Sequence, residues 1–344
     1  MKIVADISIK DIDTIFPLLR GFDDASINFL ETADIVNSNI VDADALLVRS
    51  HTNVNKQLLL SSNIKWIGSA TAGIDHIDTN YLDTNNIIWF NAKGCNSFSV
   101  CNYVLSSLYQ LKKDKIFKES DTVGIIGYGN IGKRLKNILD NLNINNIAYD
   151  PFLKSKVLSS ISEIMQAEII TIHTPLTYMT KFATNNLVDT EFLEKSNSHS
   201  IINTSRGGIV SEVDILKSKQ NYIADVWENE PHLKNSIMDC YIATPHIAGH
   251  SFEGKVKGTI DTLFGLMNFL NFDKNIVNKN LKLIDNLYQS SAKSYKYLKD
   301  FNDNYDIEIE SNRFKDLFKN IHKNNFNKLR SSHLNRHDLS IYKI

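Results

Sequence analysis

The sequence predicts an α/β protein with two doubly wound parallel sheets. Three observations carry the prediction. Short apolar runs recur along the chain with helical stretches between them, the rhythm of strands covered on both faces by their own crossover helices. One run, Thr122-Val123-Gly124-Ile125-Ile126, leads into Gly127-Tyr128-Gly129-Asn130-Ile131-Gly132 and then into a helical stretch. The length of 344 residues accommodates two domains of about 150 residues and a further segment.

The elements follow in chain order. Met1-Lys2-Ile3-Val4-Ala5-Asp6 enters a strand-like run at once. Residues 45–50, 65–70 and 87–91 read as the next buried strands. Residues 96–111 read as one long helix, with Val100, Tyr103, Val104, Ser107, Leu108 and Leu111 at three- and four-residue spacing. After the strand at 122–126, residues 133–142 continue as a helix and 146–150 form the next strand. Further strands are expected at 168–173, 200–204, 222–226 and 240–245, and a second long helix at 252–270. The texture changes from about residue 283. Residues 311–344 hold eight Lys or Arg against two acids, and Phe314, Leu317, Phe318 and Ile321 form an apolar stripe at helical spacing. Such a stripe needs a surface to cover it, on its own protein or on a partner subunit.

Composition narrows the function classes. Lys plus Arg total 38 and Asp plus Glu 39, a net charge of −1, which argues against a chain built as a whole for nucleic acid or an anionic membrane. Cys95, Cys101 and Cys240 are odd in number and lack C-x-x-C spacing, so neither a disulfide framework nor a metal site is expected. No apolar stretch approaches the ~18 residues that span a bilayer, and the start lacks the long apolar core of a signal peptide. A cytoplasmic protein is expected.

The glycine turn has a specific physical use. Gly127 allows the tight turn out of the strand, Gly129 lets backbone approach a pyrophosphate, and Gly132 lets the helix pack closely on the strand. The free N–H groups of the helix start then face the phosphates. Asp150 lies 18 residues after Gly132, at the end of the next strand, where a carboxylate accepts hydrogen bonds from the adenosine ribose. A carboxylate there repels a 2′-phosphate, so NAD is the expected cofactor in this Rossmann-like domain. Three further residues stand near strand ends: Arg206 in Asn203-Thr204-Ser205-Arg206-Gly207-Gly208, Glu230 in Asp225-Val226-Trp227-Glu228-Asn229-Glu230-Pro231, and His246 in Thr244-Pro245-His246-Ile247-Ala248-Gly249. An Arg can clamp a carboxylate with two bonds. A His can take a hydroxyl proton near neutral pH, and a Glu beside it would stabilise the imidazolium.

These motifs, from about residue 40 to 280, resemble the D-isomer-specific 2-hydroxyacid dehydrogenases. A narrower branch, which oxidises a phosphorylated four-carbon 2-hydroxy acid in pyridoxal 5′-phosphate biosynthesis, is matched by Val48-Arg49-Ser50, by Ala70-Thr71-Ala72-Gly73-Ile74-Asp75-His76-Ile77-Asp78, by Gly94-Cys95-Asn96-Ser97, and by His246-Ile247-Ala248-Gly249 with Glu253-Gly254-Lys255. The resemblance implies that Arg206 and Glu230 are active-site residues and His246 the proton donor and acceptor. It implies NAD contacts at Gly127, Gly129, Asn130, Ile131, Gly132, Asp150, Thr174, Thr204, Asp225 and Gly249, and substrate contacts at Ser50, Thr71 and His250. His250 stands where the branch usually has Tyr, Lys93 where Pro is common, and Asn102 where Glu is common.

The implied architecture is an NAD-binding domain at 94–251 inserted into a discontinuous substrate domain at 1–93 and 252–282, with hinge closure over the substrate. Residues 283–344 would form a C-terminal dimerisation segment, shorter than in the branch it resembles, and the partner would be a second copy of the chain. The alternatives are a dehydrogenase for another 2-hydroxy acid, such as 3-phosphoglycerate, and a non-catalytic NAD-sensing corepressor.

Overall fold

The computed structural model describes residues 1–288, 295–320 and 325–338. They divide into two compact units. The first comprises Met1–Asn96 and the described part of Ser251–Lys293; the second comprises Ser97–His250 and the described part of Ser294–Ser340.

The first unit holds a parallel sheet in the order β2-β1-β3-β4-β5, made of β1 (Lys2–Asp6), β2 (Ser26–Leu30), β3 (Ala45–Val48), β4 (Trp66–Ser69) and β5 (Ile88–Asn91). Its apolar residues alternate between faces, as the two-residue period of a strand requires. Ile3, Ala5, Leu47 and Trp66 pack against Val256, Leu263 and Met267 of the helix Phe252–Phe269, while Val4, Leu46, Val48 and Ile67 pack against Ile40, Leu58 and Leu82. Strand β2 is not apparent from the sequence, because Ser26 and Asn28 interrupt its apolar pattern and it lies at the sheet edge. An edge strand has one neighbour and needs less apolar surface.

The second unit holds a six-stranded parallel sheet in the order β11-β10-β9-β8-β6-β7. Its strands are β6 (Val123–Ile126), β7 (Asn146–Tyr149), β8 (Ile169–Ile172), β9 (Ser200–Asn203), β10 (Asn221–Ala224) and β11 (Ile242–Ala243). The chain winds outward from β6 to β7 and returns to β8 on the other side of β6. This reversal opens the crevice at the carboxyl ends of β6 and β8 where doubly wound sheets bind ligands. Strand β11 is two residues long, shorter than its apolar run suggests. The helix Asn130–Asn141 starts directly after Gly129, three residues earlier than its apolar period indicates.

The tail folds onto this unit. The helix Leu298–Asn304 packs on the long helix Ser97–Lys113, and Phe301 and Tyr305 join the same apolar cluster as Val104 and Leu108. In the helix Ile307–Asn320, Phe314 and Phe318 are buried with Trp227, Ile237 and Ala243, and Leu317 packs on the same cluster. Phe326 and Leu329 of the helix Phe326–Ser331 complete it. The apolar stripe at 314, 317 and 318 is therefore covered by its own chain, one of the two surfaces the sequence left open. Ile321 lies outside the described residues, as do 339–344 at the end of the expected dimerisation segment.

Candidate active site

The glycine turn follows β6. Gly127 adopts φ +97°, a conformation that side chains rarely take, and a Cβ on it would lie 2.5 Å from the His173 carbonyl oxygen. A Cβ on Gly132 would lie 1.9 Å from the Gly127 carbonyl oxygen, so helix and turn touch backbone to backbone. Gly129 differs. Its φ is −84°, and a Cβ there would meet no heavy atom within 4 Å. Protein packing thus demands glycine at 127 and 132, whereas at 129 it leaves open space, as an approaching pyrophosphate requires.

No side chain caps the helix start at Gly129, so its first N–H groups, including those of Asn130 and Ile131, are not claimed by a cap. Asp150 follows β7, and its carboxylate accepts the Tyr128 N–H at 3.0 Å and the Phe152 N–H at 3.0 Å. The carboxylate is thereby held beside the glycine turn. Thr174 follows β8; its hydroxyl oxygen is enclosed without a hydrogen-bond partner among the described residues, and its carbonyl accepts the Ser205 hydroxyl. Thr204 is buried and its hydroxyl lies 3.3 Å from His173 Nδ1, while Thr171 Oγ1 lies 3.0 Å from His173 Nε2. Burial pushes the His173 imidazole down to about 3, so it bridges the two hydroxyls as a neutral ring. These residues fit a dinucleotide with an unphosphorylated ribose.

Three loops at the carboxyl edge of the same sheet carry the remaining residues. After β9, the Asn203 side chain accepts the Ser205 N–H and donates to the Arg206 carbonyl, both at 3.1 Å, which pins the turn that presents Arg206. The Arg206 guanidinium, half-exposed, donates to the Ser205 carbonyl at 2.8 Å. After β10, Glu230 Oε1 accepts the Trp227 N–H at 2.8 Å, and Oε2 lies 2.7 Å from His246 Nδ1. With Nδ1–H donated to the carboxylate, His246 Nε2 carries the lone pair that can accept a proton. Both side chains are part-exposed, and so accessible to a ligand.

His246 follows β11 with φ +57°, and its N–H donates to the Asp225 carbonyl at 2.7 Å. The Asp225 side chain is 1% exposed. One carboxylate oxygen accepts Thr244 Oγ1 and the Ile247 N–H, each at 2.7 Å, and the other accepts the Ala248 N–H at 2.8 Å. Burial raises the Asp225 carboxyl, while His246, the Thr244 hydroxyl and the two amides pull it back. Asp225 was expected to contact NAD; in the structure both of its carboxylate oxygens also hold the His246 loop. Gly249 and His250 follow in that loop and are half-exposed.

Ser50 and Thr71 belong to the first unit. Ser50 is exposed just past β3, and Thr71 Oγ1, just past β4, pairs with Ser69 Oγ at 2.9 Å. The second unit thus brings together Arg206, Glu230, His246 and the expected cofactor residues. Two residues went unseen in the sequence: Arg330, whose Nε donates to the His246 carbonyl at 3.1 Å, and Arg336, whose guanidinium reaches the carbonyls of Ile247 and Ala248. Asn102, at the place where Glu is common, is buried and donates to Asp338 at 3.0 Å, a contact that a second carboxylate would oppose. No group of three or more metal-ligating side chains occurs among the described residues, and no described helix is long and apolar enough to cross a membrane. The three cysteines are buried free thiols, and burial pushes Cys95 and Cys240 up to about 12.

Residues 109–248 match the family model described as D-isomer specific 2-hydroxyacid dehydrogenase, NAD binding domain. A solved structure of NAD+-bound 3-phosphoglycerate dehydrogenase from Entamoeba histolytica superimposes with a TM-score of 0.65 at 25% identity, over 79% of this chain and 96% of that one. A D-lactate dehydrogenase from Aquifex aeolicus shares the fold, with a TM-score of 0.60 at 18% identity, over 81% of this chain and 98% of that one. The fold is that of the NAD-dependent 2-hydroxyacid dehydrogenases.

Among curated proteins, the erythronate-4-phosphate dehydrogenase of Wigglesworthia glossinidia brevipalpis is 45% identical over 71% of this chain and 68% of its own length. That of Ruthia magnifica subsp. Calyptogena magnifica is 32% identical over 100% of this chain and 98% of its own. The chain belongs to the erythronate-4-phosphate dehydrogenase family.

Proposed function

We propose that the protein oxidises 4-phospho-D-erythronate to 3-hydroxy-2-oxo-4-phosphooxybutanoate, with release of NADH and a proton, as a step of pyridoxal 5′-phosphate biosynthesis. The observation that carries the reading is the 2.7 Å contact between His246 Nδ1 and Glu230 Oε2, on the same sheet edge as the glycine turn and Arg206. Bound NAD supplies the acceptor for the hydride that leaves C2. His246 Nε2 takes the C2 hydroxyl proton. Glu230 holds the ring in the tautomer that leaves Nε2 able to do so, and compensates the charge that develops. Arg206 binds the substrate carboxylate and polarises the developing carbonyl.

Gly127 to Gly132 and Asp150 would hold the cofactor, with Thr174, Thr204, Asp225 and Gly249 as further contacts. Ser50 and Thr71 enter this reading as substrate contacts through the family resemblance, and His250 takes the place of the usual Tyr. We extend the reading to a cytoplasmic homodimer on the same ground. The intact Arg206, Glu230 and His246 set speaks against a non-catalytic corepressor.

The test is NADH formation, followed by absorbance, with 4-phospho-D-erythronate, unphosphorylated erythronate, 3-phosphoglycerate and lactate. The reading requires the highest kcat/KM with 4-phospho-D-erythronate. A higher value with any other acid refutes it.

A further inference from the structure

The loop bearing His246 is costly to form. A non-glycine residue at φ +57° is strained and persists only where its surroundings over-determine it. On one side of the loop the His246 N–H donates to the Asp225 backbone carbonyl, and the Ile247 and Ala248 N–H groups donate to the Asp225 carboxylate. The carbonyl side is held by the tail. Arg330 Nε donates to the His246 carbonyl at 3.1 Å, and Arg336 Nη2 donates to the carbonyls of Ile247 and Ala248. The N–H and the carbonyl of each residue from 246 to 248 are therefore both engaged, the N–H groups by Asp225 and the carbonyls by two arginines of the tail.

Arg330 does more than close this grip. Its Nη2 lies 3.2 Å from His250 Nε2, so one planar guanidinium spans the carbonyl of the catalytic His and the ring four residues on. Burial lowers the Arg330 guanidinium, and the charges of Glu230 and Asp225 raise it back. The tail that delivers it is firmly seated. Phe326 and Leu329 are in the core, the Arg336 guanidinium lies 4.5 Å from the centre of the Tyr305 ring, and Asp338 accepts from Ser99 and Asn102, each at 3.0 Å.

We propose that Arg330 is a positioning residue of the dehydrogenase, and that the tail helix Phe326–Ser331 serves as a strap that sets His246 and His250 in register with the substrate. This rests on the role of His246 proposed above. The tail is then part of the active site of its own chain, whatever else it does in assembly. Arg330 acts through His246 and His250 and forms no bond with the reacting atoms.

The test is steady-state kinetics of Arg330→Ala and Arg330→Lys, as ratios to the unaltered enzyme, on whichever 2-hydroxy acid that enzyme turns over fastest. Misplacement of a catalytic group by about 1 Å costs on the order of 100-fold. Arg330→Ala should lower kcat by about 10- to 100-fold, with KM for NAD and the melting temperature unchanged. Arg330→Lys should recover part of the loss, because an ammonium reaches one of the two acceptors but cannot bridge them. Wild-type kcat in either folded variant overturns the proposal. So does a loss of kcat that tracks a loss of NAD affinity or of melting temperature, since that is the pattern of a general structural role. If Arg330→Ala fails to fold, Arg330→Lys decides alone, by reduced or unreduced kcat. Turnover of an acid other than 4-phospho-D-erythronate would refute the substrate assignment and leave these ratios as the measure of Arg330.

Discussion

Two glycines in one turn make a paired prediction. Gly129→Ala adds a methyl group where no protein atom lies within 4 Å, at a φ of −84° that an L residue accepts. Folding stability should therefore change by no more than about 1 kcal/mol, and the loss of unfolded-state entropy favours the variant. The same methyl stands in the space the pyrophosphate must approach. A displacement that costs about 1.4 kcal/mol raises the Kd for NAD tenfold, and tenfold or more is expected. Gly132→Ala reverses the pattern. Its Cβ would sit 1.9 Å from the Gly127 carbonyl oxygen and 3.0 Å from the carbonyl carbon, and neither is the far end of a flexible side chain. Helix and turn must separate, an overpacking cost of about 1–3 kcal/mol or more. At roughly 2–4 °C per kcal/mol for a domain of this size, the melting temperature falls by several degrees. NADH fluorescence titration and thermal melts of the two variants provide the assay. Undiminished NAD affinity in Gly129→Ala, or an unshifted melt in Gly132→Ala, refutes the division of labour within the turn.

Other variants probe the remaining roles. Asp150→Ala should raise the use of NADP relative to NAD by roughly tenfold, equivalent to about 1.4 kcal/mol, because the charge that repels a 2′-phosphate is gone; equal use of both cofactors by the unaltered enzyme contradicts the assignment. Arg206→Lys should raise KM for the acid substrate and lower kcat/KM by about 10- to 100-fold, since a charge-assisted bond worth roughly 1.5–3 kcal/mol is lost with the planar fork. Glu230→Gln keeps an acceptor for the His246 ring but removes the charge that compensates the proton the ring takes. Its kcat should fall by about tenfold or more, and an unchanged kcat argues against the pairing.

The parts of the fold legible in the sequence are those written in local patterns. The β6 turn could be read because glycine spacing, the strand before it and the helix after it all fall within a few residues. Asp150 could be placed because the next strand ends on it. Arg206, Glu230 and His246 each follow a recognisable apolar run, and the sheet brings those run ends to one edge. Other features depend on contacts distant in sequence. The edge strand β2 pairs only with β1, so its polar Ser26 and Asn28 carry no warning of a strand. Asp225 reads as one more acid at a strand end, and its holding task emerges only when residues 244–248 fold over it. Arg330 and Arg336 sit in a basic tail whose composition suggests an exposed surface. Their partners are backbone carbonyls more than 80 residues away, and carbonyls leave no mark in a sequence. The aromatic stripe at Phe314 and Phe318 was visible, but the surface that covers it is formed by Trp227, Ile237 and Ala243 of the same chain.

The account rests on His246 as the group that takes the substrate proton, and His246→Asn tests it most directly. General base catalysis contributes roughly 10²–10⁴-fold, so kcat for NADH formation with 4-phospho-D-erythronate should fall by about that factor. The Kd for NAD should stay the same, because in the proposed reading the phosphates would rest on the turn after β6 and not on the loop after β11. Near-wild-type kcat with an unchanged pH profile in His246→Asn would contradict the account and would turn attention to His250, four residues on in the same loop.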